Sequence, residues 1–361
     1  MQIAKKLYNP FVRTHDSTTQ VMTDVILALV PCIIMACLAY GSKPLVVILV
    51  AVGSAVLTEF LFSFLFSKQK QTISDGSAIV TAILLSFTVG TFTPLYLVAF
   101  GSCMAVLFGK LLWGGLGKNR FNPALAGREF MTVFFPVIMG SGVIWHDQSV
   151  LQMREVTVFG NQFLDSLIYR PSGAIGEYSV LFLVLGGLFL LFRRRISWHI
   201  PFGMTAAFAL LLLMFSGYKL SFSLGGIFLG AIYMATDMPT STSTPTGKLY
   251  YGIMIGILCV VFLLGEVVHG YFSYSILLMN GFVQPLNKVF MPKVWGKPRS
   301  LWPDFLKAAL LTVVIFLLAL AIIYLHHHEA IIYLVYLFMA YSIFHFIRLR
   351  QKEKRLVDTA S

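Results

Sequence analysis

Charge is scarce in this sequence. Only 12% of its 361 residues are Asp, Glu, Lys or Arg, against about 25% in a water-soluble domain. Hydrophobic residues make up 58%, and mean hydropathy is +0.82. That shortage excludes a soluble globular enzyme and leaves an all-α polytopic membrane protein, with the lipid bilayer as its first partner. Acids are scarcer than bases, 15 against 27, for a net charge of +12. Such an excess can mark a nucleic-acid binder. Here the Lys and Arg residues stand at the ends of apolar runs, where membrane orientation accounts for them, so nucleic acid is excluded. Cysteine is also rare. Cys32, Cys37, Cys103 and Cys259 lie inside apolar runs with no Cys-x-x-Cys among them, which excludes a disulfide framework or a cysteine-only metal site. A cleavable leader is not expected, because the first 21 residues are polar and basic.

What is present is a succession of apolar runs. Residues 22–40, 44–66, 95–113, 124–140, 178–192, 200–218, 249–264, 272–291, 305–325 and 330–347 read as spans. Two further runs, 78–89 and 224–235, are too short for a ~30 Å hydrocarbon core, which takes about 20 helical residues. A breaker cluster follows each: Gly90-Thr91-Phe92-Thr93-Pro94 after the first, and a polar stretch with Asp237, Pro239, Pro245 and Gly247 after the second. Backbone that leaves the helix at membrane depth is tolerated only where protein buries it or water lines it. Paired interruptions therefore point to a working site.

Orientation follows from the basic residues. With the N-terminus in the cytoplasm, and each half-span with its tail counted as one crossing, only Lys43, Arg154, Arg170 and Lys219 of the 27 face outside. The positive-inside bias then places both termini in the cytoplasm and residues 141–176 outside. Each set of five crossings runs span, span, half-span, span, span, and the two sets start on opposite sides. The expected architecture is two inverted five-crossing repeats with broken half-helices, plus two extra C-terminal helices. The chain divides into a cytoplasmic segment (1–21), a first membrane repeat (22–140), an extracytoplasmic segment (141–176), a second repeat (177–297) and an added two-helix extension (298–361).

Short motifs carry a resemblance. In order they are Asp16-Ser17-Thr18, Ser74-Asp75-Gly76-Ser77, the run from Gly114-Gly115-Leu116-Gly117-Lys118-Asn119-Arg120 through Phe121-Asn122-Pro123-Ala124, Gly176-Glu177, Ala235-Thr236-Asp237-Met238-Pro239-Thr240, and Tyr274-Ser275-Ile276-Leu277-Leu278-Met279-Asn280. Over roughly residues 8–297 the chain resembles the D subunit of Rnf ion-translocating ferredoxin:NAD oxidoreductases. That protein is a relative of the B subunit of the sodium-pumping NADH:quinone oxidoreductase. The resemblance implies a urea-channel-like fold, a place in the bacterial inner membrane, and partner subunits bearing flavins and iron–sulfur clusters. Members of the family carry a Ser/Thr-Gly-Ala-Thr motif in the outside segment, and its last Thr bears FMN through a phosphoester. Here the nearest match is Ser172-Gly173-Ala174-Ile175, which also fits the family's separate Gly-Ser-x-Gly-Glu element. Ile175 has no nucleophilic oxygen. Covalent FMN is therefore expected to be absent, and any flavin, FMN or riboflavin, is expected to be held non-covalently.

Two stretches carry the candidate chemistry. Lys118, Asn119 and Asn122 lie in a glycine-rich turn that runs into a helix, where exposed N–H groups and a lysine suit a carbonyl-rich or anionic group. Pro123 at the first helical turn suits a plain helix start equally well. Asp237 and Thr240 follow the second half-span, where an acid among hydroxyls suits flavin ring edges or a hard cation. The same residue types cap turns routinely. Glu59, Arg128, Glu129, Glu177 and Glu266 are ionisable groups within or at the ends of spans, with Glu59 the most interior and Arg128 and Glu129 suited to partners at the cytoplasmic edge. His326-His327-His328-Glu329 reads as a solvated hairpin turn between the two added spans. Neither a dinucleotide motif nor cluster ligands occur in the sequence. The leading expectation is a membrane subunit that aids flavin-mediated electron transfer coupled to Na⁺ or H⁺ movement. Its rivals are a passive urea-type solute channel and a flavin-less scaffold that anchors a flavoprotein.

Overall fold

The structure is a computed structural model that describes residues 16–66, 75–145, 147–153, 157–291 and 301–358. Ser74 and Arg154, which enter the motif and charge arguments above, lie outside these residues. Among the described residues the chain is helical throughout, without strands. The helices are α1 (Thr18–Tyr40), α2 (Lys43–Phe66), α3 (Ser77–Ser86), α4 (Leu95–Gly109), α5 (Pro123–Phe134), α6 (Pro136–Met139), α7 (Gln162–Ile168) and α8 (Val180–Phe192). They continue as α9 (His199–Met214), α10 (Leu224–Leu229), α11 (Pro245–Leu264), α12 (Tyr271–Gly281), α13 (Val283–Phe290), α14 (Leu301–His327) and α15 (Ile331–Asp358). Among them six are long and apolar enough to cross a membrane: α1, α2, α4 with its extension to Trp113, α11, α14 and α15.

Local chemistry sets the ends of these helices. α1 starts at a capping box, in which the Ser17 hydroxyl accepts from the Gln20 N–H and the Gln20 side chain accepts from the Ser17 N–H. α3 has 10 residues, about 15 Å of helix and half of a bilayer core. Beyond it the chain unravels through Thr88–Pro94, yet the freed groups find partners. The Phe92 N–H donates to the Ile144 carbonyl at 3.2 Å, and the Thr93 hydroxyl to the Gly90 carbonyl at 2.8 Å. α10 passes into a π-helical turn over Gly230–Met234 before its chain unwinds at Thr236 and Asp237. Wide turns of that kind gather at functional sites.

Two expected spans are broken. Residues 124–140 divide into α5 and α6 at Phe135, because Pro136 has no N–H to continue the ladder. Residues 272–291 divide into α12 and α13 at Phe282. There Pro285 cannot donate to the Gly281 carbonyl four residues back, and its ring crowds that group. The turn between the added spans is also shorter than expected: His326 and His327 finish α14. His326 Nδ1 meets the Tyr274 hydroxyl at 3.3 Å and His327 Nε2 meets the Gly265 carbonyl at 2.9 Å. Only His328, Glu329 and Ala330 form the turn.

Packing draws the helices into one core. α2 packs on α4, α4 on α5, α9 on α11 and α11 on α12, while α1 meets α8 and α5 meets α12. The closest seam is α9 against α11. A Cβ on Gly252 or Gly256 would overlap the carbonyls of Ile200 and Met204, so the glycines let two backbones touch, as at small-residue seams in membranes. α14 and α15 stand apart, with 11% and 6% of their apolar windows buried. Most of their described side chains face outward, as lipid-facing surfaces do, while Ile315, Ala319 and Ser342 are buried.

Candidate functional site

The glycine-rich turn ahead of α5 meets the unwound end of the second short helix. Asn122 caps α5, its Oδ1 accepting from the N–H groups of Ala124 at 3.0 Å and Leu125 at 3.3 Å. The same side chain reaches across the molecule, its Nδ2 donating to the Met234 carbonyl at 3.1 Å, a group freed where the second short helix ends. Asn119 Nδ2 lies 3.5 Å from Asp237 Oδ2, at the limit of a hydrogen bond. The Thr240 hydroxyl donates to the same Asp237 oxygen at 2.8 Å. Asn280, on α12, ties the arrangement together. With its amide oriented to satisfy both ends, it donates to the Thr240 carbonyl at 3.0 Å and accepts from the Asn122 N–H at 2.9 Å.

Around these groups lies a cavity of about 250 Å³, lined by Asn119, Asn122 and Asp237 together with Lys110, Arg195 and Tyr233. Of the residues singled out from the sequence, Asn119, Asn122 and Asp237 thus share one chamber. Thr240 stands behind it as a buried partner of Asp237. Lys118 does not line the cavity. It is exposed on the glycine turn, where Gly114, Gly115 and Gly117 take φ of 105°, 94° and 83°, conformations that side-chain-bearing residues rarely adopt.

Three wall residues carry no site signal in the sequence. Lys110 is 2% exposed, and its partner Glu59 1%. Their ion pair measures 2.6 Å, and Lys110 also donates to the Ser77 hydroxyl, with Asp75 at 3.9 Å. Glu59 reads as interior from its place in a span, but Lys110 lies 51 residues away, with no local pattern linking the two. Arg195 is held by Asp24 at 2.6 Å and Asp16 at 2.8 Å, so its charge is already neutralised. The Tyr233 hydroxyl donates to the Leu183 carbonyl at 3.2 Å, placing a phenol in the wall where the π turn widens the helix.

The other ionisable groups lie elsewhere. Arg128 and Glu129, expected to find partners at the cytoplasmic edge, are buried and find them inside the protein. Arg128 Nη2 donates to the His269 carbonyl, in the connection between α11 and α12, at 2.5 Å, and its guanidinium sits over Phe272. Glu129 accepts from Ser273 on α12. Glu177 accepts from the Ser223 hydroxyl at 2.6 Å, and Glu266 is exposed. Ile175 is buried, with its N–H on the Val89 carbonyl at 3.0 Å. Its segment thus seals the unravelled end of α3 with an apolar side chain.

The cavity can hold a flat, carbonyl-rich ring. Asn119 Oδ1 is buried without a partner and offers an acceptor to a ring N–H. Lys110, like Arg195, is already neutralised, by Glu59 at 2.6 Å, and the remaining walls are mostly apolar. Its volume approaches the lower bound of about 300 Å³ for small-molecule clefts, which suits a ring system better than a whole dinucleotide. Among the described residues no group of three or more His, Cys, Asp or Glu is placed to hold a metal ion.

Comparison with known proteins gives a consistent result. A family model described as "NQR2, RnfD, RnfE family" matches residues 6–296. The chain is 33% identical to the D subunit of the proton-translocating ferredoxin:NAD(+) oxidoreductase complex of Clostridium ljungdahlii, over 82% of this chain and 99% of that relative. It is also 33% identical to the D subunit of the Na(+)-translocating ferredoxin:NAD(+) oxidoreductase complex of Acetobacterium woodii, over 80% and 94%. The D subunit of the ion-translocating oxidoreductase complex of Yersinia pseudotuberculosis is 29% identical over 82% and 98%.

Proposed function

The chain belongs to the NQR2, RnfD, RnfE family, and from that premise we propose that it is the D-type membrane subunit of an ion-translocating ferredoxin:NAD oxidoreductase. In this reading it works inside a complex of other membrane subunits, among them carriers of flavin and iron–sulfur clusters, in the bacterial inner membrane. Both termini face the cytoplasm and residues 141–176 face outward. Residues 22–140 and 177–297 are inverted repeats; like-for-like packing of α2 on α4 and α9 on α11, and of α4 on α5 and α11 on α12, supports this.

Within that assembly the cavity between the glycine-rich turn and the unwound end of the second short helix holds a non-covalent flavin. The observation that carries this reading is the convergence of Asn119 and Asn122, from the glycine-rich turn ahead of α5, with Asp237, from the broken end of the second short helix, around the unpartnered Asn119 oxygen. When bound, a flavin supplies one-electron chemistry between carriers. The protein's part is to hold and tune the ring. Asn119 accepts from it, and Asn122 with Asn280 fixes the two segments so that the chamber keeps its shape. Asp237, anchored by Thr240, gives the cytoplasmic mouth an acid that also suits a cation entering between the repeats. Exposed Lys118 steers an anionic partner or ligand toward that mouth.

The test is the optical spectrum and turnover of the purified complex carrying Asn119→Ala or Asp237→Ala at equal expression. Non-covalent flavin should fall and electron transfer should drop about ten-fold, the weight of ~1.4 kcal/mol. Full flavin content with wild-type turnover in both variants would instead favour the scaffold role. Solute flux through liposomes holding the chain alone would favour the channel.

A further inference from the structure

A second cavity, of about 280 Å³, lies where the added hairpin leans on the core. α5 and α12 supply Ala126, Glu129 and Tyr274 to one side, and α15 supplies Val335 and Phe338 to the other, with α14 contributing as well. Of its lining residues only Glu129 and Tyr274 carry polar side chains. Tyr274 is committed, its hydroxyl lying 3.3 Å from His326 Nδ1 at the end of α14. Glu129 is not. The residue is 8% exposed. Its Oε1 accepts from Ser273, while its Oε2 is buried with no partner.

An apolar chamber with a single unsatisfied acceptor defines its guest. A buried polar atom without a partner is strongly unfavourable, and a dry cavity forfeits the contacts its lining would otherwise make. Water suits neither need, because it must find two or more polar partners in a chamber that offers one free acceptor. The sparse burial of α14 and α15 leaves this seam bordered by lipid-facing helices. We propose that the pocket binds a single-chain amphiphile from the bilayer, whose apolar chain fills the seam and whose hydroxyl head donates to Glu129 Oε2. Much of the wall comes from helices beyond the residues matched by the family model, 6–296, so the site is a property of this hairpin-bearing chain. It is separate from the cavity of Asn119 and Asp237 and does not rest on the flavin reading.

The experiment uses the purified full-length chain in its complex, with a photoreactive long-chain alcohol as probe and its methyl ether as control. After irradiation, cross-links are mapped by mass spectrometry. The alcohol should label peptides of α12 and α15 facing the pocket, and the ether, lacking the donor, should label them about five-fold less, the weight of one hydrogen bond. Val335→Trp, which fills the chamber from the peripheral helix and leaves the core intact, should abolish that labelling. Straight-chain and isoprenoid alcohols used side by side show which chain fits better. Equal labelling by alcohol and ether would overturn the role of Glu129. Labelling that spreads evenly over lipid-facing helices and ignores Val335→Trp would overturn the site.

Discussion

At the scale of single residues, the most consequential feature is a buried ion pair that no local pattern announces. Lys110 and Glu59 are almost wholly enclosed, 2.6 Å apart. Such a pair contributes little net stability over an apolar pair, but removing one partner leaves a charge stranded, at about 3–5 kcal/mol. Lys110→Met should therefore lower the melting temperature of the purified protein markedly, while Lys110→Met combined with Glu59→Gln should recover most of the loss. Fluorescence-detected size exclusion after a heating series reads this directly. Equal losses in the single and double variants would mean that Lys110 acts through packing alone. The residue scale also explains Ile175. With its N–H on Val89 and its side chain buried, it works as a plug for the unravelled helix end. The expected consequence is a protein without covalent FMN: no fluorescent band on a denaturing gel under ultraviolet light, and no FMN-sized increment on peptides from residues 141–177. Thr157, exposed in that segment, is the residue to inspect if a band appears.

At the scale of elements, several helices stop partway for a local reason. α3 and α10 end where polar residues and glycines gather, and α5 and α12 end ahead of prolines. Long helices then press together through small residues. The α9–α11 seam depends on Gly256, where a Cβ would meet the Met204 carbonyl, whereas a Cβ on Gly53 in α2 meets nothing within 4 Å. Gly256→Leu should force the two backbones apart and erase the monodisperse peak in size exclusion. Gly53→Leu, on an open face, should leave the peak unchanged. If both variants behave alike, the seam does not hold the second half together.

At the scale of the whole molecule, the basic residues set orientation. Single cysteines replacing Ser149 and Ser361, in a background freed of Cys32, Cys37, Cys103 and Cys259, should label from opposite faces of the membrane. An impermeant thiol reagent applied to intact cells should reach the first and spare the second. Equal labelling would refute this topology and, with it, the side on which the Asn119–Asp237 chamber opens. The orientation also bears on partners. In the proposed orientation the chamber opens to the cytoplasm, the side from which soluble electron donors would reach the proposed flavin.

Much of this can be read from composition and order alone. Hydropathy determines a helical membrane protein because backbone groups in lipid must be satisfied within the segment. Two half-length runs followed by breakers mark where the helices stop, which makes Asp237 stand out in the bare sequence, while a glycine-rich turn running into a helix does the same for Asn119 and Asn122. Only the tertiary structure decided that these residues share a chamber, that Lys118 stays outside it, and that Lys110 and Arg195 stand in its wall. Those facts depend on contacts between residues far apart in sequence, such as Asn122 with Met234 and Lys110 with Glu59. Periodicity reports which face of a helix is apolar and is silent about which distant helix will meet it. The same limit hides the Glu129 pocket: an acid in a span can be seen in sequence, whereas an oxygen without a partner exists only once every neighbour has been placed.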